Sequence, residues 1–369
     1  MIRVSDYSRL QNTSFPQARM RSLKAAVVGA GALGSEVIKT LCLLGTGQIT
    51  VVDPDIVEAS NLCRSILFRD PACLGCPKAE VIARVAERSF PDTQVIPLCR
   101  EVADAGTTAL SACPIWFSCV HSELARVEIS YLATQLAASV ADGALGDAQS
   151  ARGSVSWFPS SGACYCCILG GTRRRELLSE LDVSVAPCGQ RTLEGTIAST
   201  PTMASIIGGL QVEVGLRSFF DAVGESFTAD LRVSGGLRLN ILRRARSEDC
   251  PFHWACAGRR VPLSESRVPV GLFLATQVGS GEEDPVVVLD WPVCVRAACR
   301  DCGHVWSPMM RIGRFRRTGV CPSCGGRGIL ELQSLRAIER ESDWAVLPFS
   351  AFGVPDATMV TIRDRKQAR

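Results

Sequence analysis

The sequence comprises 369 residues, of which 47% are hydrophobic and 21% are charged, and its formal net charge is +3. This length and composition predict two globular domains, and a charge so close to zero gives no indication of a nucleic-acid or membrane partner. The first residues lack the apolar region of a signal peptide, and no run of about 18 uncharged apolar residues occurs. We therefore expect a soluble, cytoplasmic protein.

The first 145 residues alternate strand and helix signals. Short apolar runs predict strands (AAVVG, GQITVVD, QVIPL and IWFSCV), and the segments between them carry apolar residues at helical spacing. One of these helices, PKAEVIARVAERSF, opens with Pro77 at its predicted first helical position. This alternation predicts an α/β fold, a doubly wound and mostly parallel Rossmann-like sheet with helices on both faces.

Beyond residue 145 the pattern changes. GSVSWF predicts a strand, TPTMASIIGGLQVEVGLRSFF a long buried helix, and FTADLRV with GLRLNILR a hairpin across Gly235 and Gly236. From about residue 258 the sequence is interpreted as β-rich, with VGLFLATQ and PVVVLDWPV as strands. The predicted domains are 1–257 and a small β-rich domain over 258–369.

A glycine-rich turn follows the first predicted strand. Gly29, Gly31 and Gly34 form a G-x-G-x-x-G pattern that opens a helix, where backbone N–H groups bind a phosphate. Asp53 lies at the end of the second strand, where a nicotinamide-binding dehydrogenase carries an acidic residue. On this residue alone, a dehydrogenase is an alternative. However, further polar residues follow it closely: Asp55, Asn61, Arg64 and Lys78. A triphosphate needs such positive charge, whereas a dehydrogenase does not, so the clustering favours ATP.

Four segments carry a more specific resemblance: DYSRL, VVGAGALGSEV, VVDPDIVEASNLCRSILF and PKAEV. In this order and spacing they resemble the adenylation domain of the ubiquitin-activating-type (HesA-MoeB-ThiF) superfamily, which includes sulfur-carrier adenylyltransferases. The resemblance covers about residues 6 to 250. It implies that Asp53 holds the ATP ribose and that Asn61, Arg64 and Lys78 contact the phosphates. It also implies a homodimer, in which Arg9 reaches into the second protomer's active site.

One residue departs from the family pattern. The family usually places an aspartate after the fourth strand to position Mg²⁺, and this chain has His121 there, in SCVHS. Imidazole is a poor ligand for Mg²⁺. Either another carboxylate, such as Asp142, takes over, or adenylation is slow or lost.

The eighteen cysteines favour metal binding over disulfides, because several occur as C-x-x-C pairs in a chain without an export signal. Cys164 and Cys167 form one pair, and Cys250 and His253 could complete a tetrahedral zinc site. The family commonly has a zinc across these same loops. Cys256 is the alternative to His253, but His253 keeps the two-residue spacing.

A second set has stronger spacing. Cys299, Cys302, Cys321 and Cys324 form two C-x-x-C knuckles separated by 18 residues, which is typical of a zinc ribbon. The alternative is four unrelated core cysteines. The ribbon could contact a partner, or it could only stabilise a small β domain. The sequence thus predicts two Zn²⁺ sites.

Cys188 lies outside both sets, in a polar loop ahead of the long helix. Its segment resembles the one that carries the thioester cysteine in enzymes that activate ubiquitin-like proteins; the alternative is an ordinary thiol. The predicted function is ATP-dependent adenylation of the C-terminal carboxylate of a ubiquitin-like protein, then transfer to Cys188. Its partners would be a carrier ending in glycine and, in this branch, a conjugating-enzyme-like protein. The alternatives are a sulfur-carrier adenylyltransferase without a thioester and a catalytically inactive scaffold subunit.

Overall fold

A computed structural model describes Tyr7, Arg9 and residues 15–146, 151–181, 200–253, 258–278 and 284–365, with the backbone alone for 179–181. The described residues form two compact units. The first contains 15–105, 109–146, 151–169 and 200–253, and the second contains 106–108, 170–181 and the segments from 258 to 365. The predicted boundary at 257/258 lies just beyond a gap in the described chain and stays a prediction. Across the described residues, no helix has the length and apolarity needed to span a membrane.

The first unit is built on an eight-stranded sheet in the order β3-β2-β1-β4-β5-β6-β7-β8. β3, β2, β1, β4 and β5 are parallel, and β6, β7 and β8 add to them antiparallel. The strands are β1 Lys24–Val28, β2 Gln48–Val52, β3 Gln94–Leu98, β4 Ile115–Ser118, β5 Ser139–Leu145, β6 Arg152–Phe158, β7 Ser226–Arg232 and β8 Arg238–Arg244. Its central strands β1, β2 and β4 are apolar and buried on both faces, as expected where helices cover a parallel sheet.

Within the described ranges from 15 to 220, the helices are α1 Gln17–Ser22, α2 Ala32–Leu43, α3 Ala59–Leu62, α4 Lys78–Ser89, α5 Thr107–Ser111, α6 Glu123–Gln135, α7 Tyr165–Ile168, α8 Gly171–Leu181 and α9 Pro201–Phe220. The predicted long helix is α9. Thr200 caps it by accepting a hydrogen bond from the N–H of Met203, and Pro201 occupies its first turn. Gly208 and Gly215 let it approach its neighbours closely, because an added Cβ would lie 2.8 Å from Glu36 or 2.9 Å from Ala141.

The second unit contains a separate antiparallel sheet centred on one long strand, β10. Its strands and later helices are β9 Arg259–Leu263, α10 Val270–Gln277, β10 Pro285–Cys299, β11 Val305–Trp306, β12 Met310–Arg311, α11 Ile312–Thr318, β13 Ile329–Glu339 and β14 Thr358–Asp364. One group of buried apolar side chains lies between α10 and the sheet. A smaller one, with only four buried residues, lies near the cysteine knuckles.

The predicted fold class is confirmed, and two local details differ. VGLFLATQ is not a strand but helix α10, because its buried residues Val270, Phe273 and Leu274 follow helical spacing and Pro269 caps its start. Pro77 is the residue before α4 rather than its first residue. The predicted hairpin across Gly235 and Gly236 is present as β7 and β8.

Candidate nucleotide and metal sites

The glycine turn lies where the strand order reverses, between β1 and β4. In open α/β sheets, the crevice at such a switch point is where ligands bind. Gly29 has a φ of +94°, and its N–H donates to the carbonyl of Val52. A Cβ on Gly29 would lie 2.7 Å from the carbonyl oxygen of Cys119, and a Cβ on Gly34 would lie 1.9 Å from the carbonyl oxygen of Gly29. Two of the three glycines are thus required by the backbone itself.

The third glycine faces open space. Gly31 precedes the first residue of α2, and an added Cβ there would meet no atom within 4 Å. The N-terminus of α2 therefore presents backbone N–H groups to a space that a phosphate can enter.

Asp53 fastens this turn to the end of β2. Its carboxylate accepts hydrogen bonds from the N–H of Ala30 at 2.6 Å and from the N–H of Asp55 at 2.8 Å. Burial raises the pKa of Asp53, although the charge of Lys78 and the two backbone donors favour its charged form. Because each carboxylate oxygen has two acceptor positions, Asp53 can still accept from a ribose hydroxyl.

The residues after Asp53 bring a cation to the same segment. The Nζ atom of Lys78 lies 2.8 Å from a carboxylate oxygen of Asp55, and its backbone N–H donates to the carbonyl of Asp55. The Lys78 side chain is buried, whereas that of Asp55 is exposed. The side of the pair that faces solvent is thus the Asp55 carboxylate, so a phosphate that binds Lys78 has to take the place of this carboxylate.

Asn61 and Arg64 belong to the short helix α3 and the turn after it. The Asn61 side chain accepts from the N–H of Glu58 in a reciprocal capping box, so its position is fixed by the helix start. Arg64 is half-buried, and its Nε atom donates to the carbonyl of Ser60. That contact uses one of its five donors, so the others remain for phosphate oxygens.

The end of β4 carries a buried ion pair. The Ser118 hydroxyl donates to Asp142 at 2.6 Å, and Arg126 lies 3.3 Å from the other Asp142 oxygen. Arg126 also donates to the carbonyls of Val120 and Gly143. Burial raises the pKa of Asp142, whereas Arg126 and Ser118 favour its charged form. His121 is exposed in the loop that Arg126 supports.

These residues fit a magnesium ion only in part. Mg²⁺ prefers oxygen ligands and is usually held by one or two carboxylates together with substrate phosphates. Asp142 is the carboxylate that the sequence suggested for this role, but both of its oxygens already have partners. Among the described residues, the groupings of three or more metal-ligating side chains are the two cysteine clusters alone.

The first cluster joins Cys164, Cys167, Cys250 and His253, whose ligand atoms all lie within 4.8 Å of one another. The Sγ atom of Cys164 lies 3.8 Å from that of Cys167 and 3.7 Å from that of Cys250, and Nε2 of His253 lies 3.1 Å from Cys167 Sγ. Sulfur ligands about 2.3 Å from a tetrahedral zinc lie about 3.8 Å apart, so this set can hold that metal.

The second cluster brings together both predicted knuckles. Cys299 and Cys324 have sulfur atoms 3.6 Å apart, as do Cys302 and Cys321. Cys299 and Cys321 are buried, and the other two cysteines are exposed. The four ligand atoms lie within 4.8 Å of one another, so this cluster can also hold a metal ion.

The comparisons with known proteins agree with this geometry. The sequence model of the ThiF family matches residues 5–251. The chain belongs to the ThiF family. This match confirms the resemblance expected from the sequence motifs.

Several curated proteins are similar to this ThiF-family chain. It is 47% identical over 87 residues to human ubiquitin-like modifier-activating enzyme 7, covering 22% of this chain and 8% of that protein. It is 43% identical over 82 residues to the SAMP-activating enzyme E1 of Haloferax volcanii, covering 22% and 30%. It is 26% identical over 262 residues to the adenylyltransferase and sulfurtransferase UBA4 of Saccharomyces cerevisiae, covering 69% and 55%. The chain thus spans between 8% and 55% of the length of these relatives.

Solved structures of E. coli MccB are also similar to this ThiF-family chain. The complex with MccA-N7isoASN has a TM-score of 0.49 at 17% sequence identity, covering 64% of this chain and 68% of that chain. The complex with ATP has a TM-score of 0.47 at 17% identity, covering 64% and 67%.

Three further predicted residues are not placed in this site by the described structure. Arg9 is exposed, and its predicted contact with a second protomer is not tested by a single chain. Cys188, the predicted thioester cysteine, and Cys256, the alternative ligand, lie outside the described residues. Their predicted roles therefore stay predictions.

Sequence reasoning missed two buried residues of the crevice in this ThiF-family fold. Gln211 on α9 donates from Nε2 to the carbonyls of Ser118 and Ala141, both at 2.9 Å, and so holds the ends of β4 and β5 together. Arg126 was the other. Gln211 is a polar residue in a mostly apolar helical stripe, which is the signal that could have found it, whereas α6 also buries Glu128 and Ser130 and so does not single out Arg126.

Proposed function

We propose that the protein activates the C-terminal carboxylate of a ubiquitin-like or sulfur-carrier protein by ATP-dependent adenylation. The observation that carries the proposal is the crevice at the β1–β4 switch point. This crevice combines a helix start suited to a phosphate with a buried cation, Lys78. The glycine turn, held by the Asp53 carboxylate, provides the first, and the Asp55–Lys78 pair provides the second. The names of the relatives support the same activity, because they include activating enzymes and an adenylyltransferase.

The chemistry requires positioning and charge stabilisation. A carboxylate oxygen of the carrier attacks the α-phosphorus of ATP, and the bond to the bridging oxygen breaks, so pyrophosphate leaves with its electron pair. Arg64 and Lys78 stabilise the charge on the phosphates, while the helix start of α2 binds a phosphate oxygen. Arg9 of a second protomer would add a further cation if the protein acts as a homodimer. A bound Mg²⁺ would neutralise phosphate charge, with Asp142 as a candidate carboxylate.

Pyrophosphate exchange tests the first step. The purified chain is incubated with ATP, labelled pyrophosphate and a small ubiquitin-like protein that ends in Gly-Gly. We expect label to enter ATP only with the intact carrier, and the matched control is the same carrier without its last two residues. Equal exchange with both carriers, or none with any such carrier, would refute carboxylate activation.

We further propose that the acyl group is then transferred to Cys188 as a thioester, with release of AMP. Cys188→Ala should keep pyrophosphate exchange but lose the adduct that dithiothreitol cleaves. Cys99→Ala, which removes an exposed cysteine, is the matched control. An adduct-free wild type that still exchanges pyrophosphate would favour the sulfur-carrier branch, in keeping with UBA4 among the relatives. A conjugating-enzyme-like partner belongs to the thioester branch alone.

A scaffold function is favoured by one observation. His121 occupies the position where the family usually has the Mg²⁺-positioning aspartate, and Asp142 is already paired with Arg126 and Ser118. A scaffold would bind ATP or the carrier without exchange. Calorimetric titration with ATP alongside the exchange assay separates the two functions.

We also propose that both cysteine clusters bind Zn²⁺. Thiolate and imidazole ligands at tetrahedral spacing suit this ion, and neither cluster leaves an open position for a substrate. Their role would therefore be structural. Metal analysis of the purified protein should find two zinc ions per chain, one for each cluster.

A further inference from the structure

A C-x-x-C pair lies outside both metal-capable clusters. Cys73 and Cys76 flank Leu74 and Gly75 in the segment that leads to Lys78. Both are free thiols; Cys73 is 6% exposed and packs in the main core, and Cys76 is half-buried. The pair belongs to none of the metal-capable groupings among the described residues. Its spacing is visible in the sequence as ACLGC.

The two cysteines are the ends of a type II β-turn. Leu74 has φ −57° and ψ 133°, Gly75 has φ +78°, and the N–H of Cys76 donates to the carbonyl of Cys73 at 3.0 Å. A β-turn brings its end Cα atoms within about 7 Å, and disulfides usually span Cα distances of about 4.4–6.8 Å. A bond between the two sulfur atoms therefore requires side-chain rotation and a modest adjustment of the turn.

This turn is hydrogen-bonded directly to the nucleotide segment. The N–H of Gly75 donates to the carbonyl of Val57, and the N–H of Val57 donates to the carbonyl of Cys76. Two residues later, Lys78 bonds to Asp55 through both its backbone and its Nζ atom. A change in the turn is thus transmitted through two short connections to the Asp55–Lys78 pair.

We propose that Cys73 and Cys76 are a thiol modification site, at which a reversible disulfide weakens nucleotide binding by moving Lys78. The reaction partner is a low-molecular-weight disulfide. The Cys76 thiolate attacks it and expels one small thiolate, and the Cys73 thiolate then attacks the mixed disulfide at the Cys76 sulfur and expels the second. Two protein thiols are oxidised and lose their protons, while the small disulfide is reduced to two thiols.

The environment of each thiol sets this order. Burial raises the pKa of Cys73, so its thiolate forms less readily than that of an exposed cysteine. Cys76 is the more exposed of the two and can meet the oxidant first. Closing the bridge withdraws the Cys73 sulfur from the carbonyl of Phe68, 3.7 Å away, and from its core contacts. The shift thus reaches the core side of the turn as well as the Lys78 side.

The effect on activity depends on the proposed adenylation, but the disulfide itself does not. The experiment therefore has two readouts on the full chain, treated with glutathione disulfide and then with dithiothreitol. Peptide mass mapping reports the loss of two hydrogens from the peptide that contains both cysteines. Titration with ATP and pyrophosphate exchange report the consequence. We expect the affinity for ATP and the rate of pyrophosphate exchange each to fall about 10-fold or more on oxidation and to recover on reduction.

Matched variants separate this site from the other cysteines. Cys76→Ser should bind ATP as the reduced wild type does and should resist glutathione disulfide, whereas Cys99→Ser should stay sensitive. Zinc content is measured in parallel, because oxidation of the metal-capable clusters would also lower activity. A turn peptide that remains reduced, or equal inactivation of Cys76→Ser, would overturn the proposal. Absence of exchange in the reduced wild type would instead contradict the adenylation function and leave the mapping result valid.

Discussion

The nucleotide crevice and the zinc-ribbon segment are held together in different ways. The crevice is formed by backbone hydrogen bonds and close glycine contacts at the edge of a buried parallel sheet. The ribbon segment, residues 296–327, has two cysteine knuckles beside a core of only four buried residues: Cys294, Ala297, Ile312 and Phe315. We therefore expect the crevice to take its shape without a metal ion, and the ribbon, with its small apolar core, to need the metal that we propose for it.

This difference indicates that the two regions are stabilised by different interactions. A ligand site at the edge of a large sheet is held rigid by the core on which the sheet packs. Its side chains can therefore be changed without unfolding the chain. A small knuckle pair obtains its folding free energy from its metal. Four experiments test the distinction.

The largest effect is expected in the ribbon. Cys302 is exposed, so Cys302→Ser removes a metal ligand without opening a hole in the core. We expect zinc content to fall from two ions to one for the two clusters, and residues near the knuckles to become sensitive to limited proteolysis. ATP binding should remain. Ser323→Ala, in the second knuckle, is the control, and an equal loss of ATP affinity in Cys302→Ser would mean that the two regions are not independent.

The reverse experiment changes the crevice. Lys78→Ala and Arg64→Ala should each slow adenylate formation by ~100-fold, because each removes a charge-stabilising contact worth about 3 kcal/mol. Zinc content should be unchanged. Arg69→Ala is the matched control, since it removes an exposed arginine that bonds to the carbonyl of Leu62 in the same segment. Normal pyrophosphate exchange in both variants would show that the triphosphate binds elsewhere.

The first cysteine cluster provides an intermediate case, because it is a metal-capable site within the unit that has the large core. Cys164→Ser should lower the free energy of unfolding by about 3 kcal/mol or more through loss of the metal. The unit should nevertheless stay folded and bind ATP. Cys113→Ala is the control for burial, since Cys113 is buried in the same unit and belongs to neither cluster. Thermal unfolding of both variants decides this, and a Cys164→Ser chain that is wholly unfolded would place the ribbon and this cluster in the same class.

The parts of the fold that could be predicted from the sequence are those whose geometry is determined by residues close together in the chain. The apolar run of β1, the glycine turn after it and the two C-x-x-C spacings each specify their geometry within a few residues. That is why the sheet class and the cysteine groupings were predictable. The pairing of Cys164 with Cys250 spans 86 residues; it was predicted from the spacing of two separate knuckles and strengthened by the family resemblance.

The errors and omissions have physical causes. The apolar run from Val270 to Gln277 is short enough for either a strand or a helix. The spacing of its buried residues indicates a helix only in combination with Pro269, which precedes the run. Gln211 and Arg126 were missed because a buried polar side chain is defined by the carbonyls that it faces. Those carbonyls belong to strand ends that only the folded sheet brings together.

The smallest effect concerns His121, which lies at the crevice but does not hold it together. His121→Asp introduces the carboxylate that the family usually has at this position, and an aspartate is a better Mg²⁺ ligand than an imidazole. In the native chain, Mg²⁺ would have to compete with Arg126 and Ser118 for the Asp142 carboxylate. The new carboxylate at position 121 would supply an oxygen ligand without that competition. We expect pyrophosphate exchange to increase by up to about tenfold, equivalent to about 1.4 kcal/mol, and to need less Mg²⁺ for half its maximal rate. His121→Asn, which is polar but carries no charge, is the matched control. If His121→Asp and His121→Asn respond alike to Mg²⁺, the ion is positioned by another group, and the crevice is complete without a carboxylate after β4.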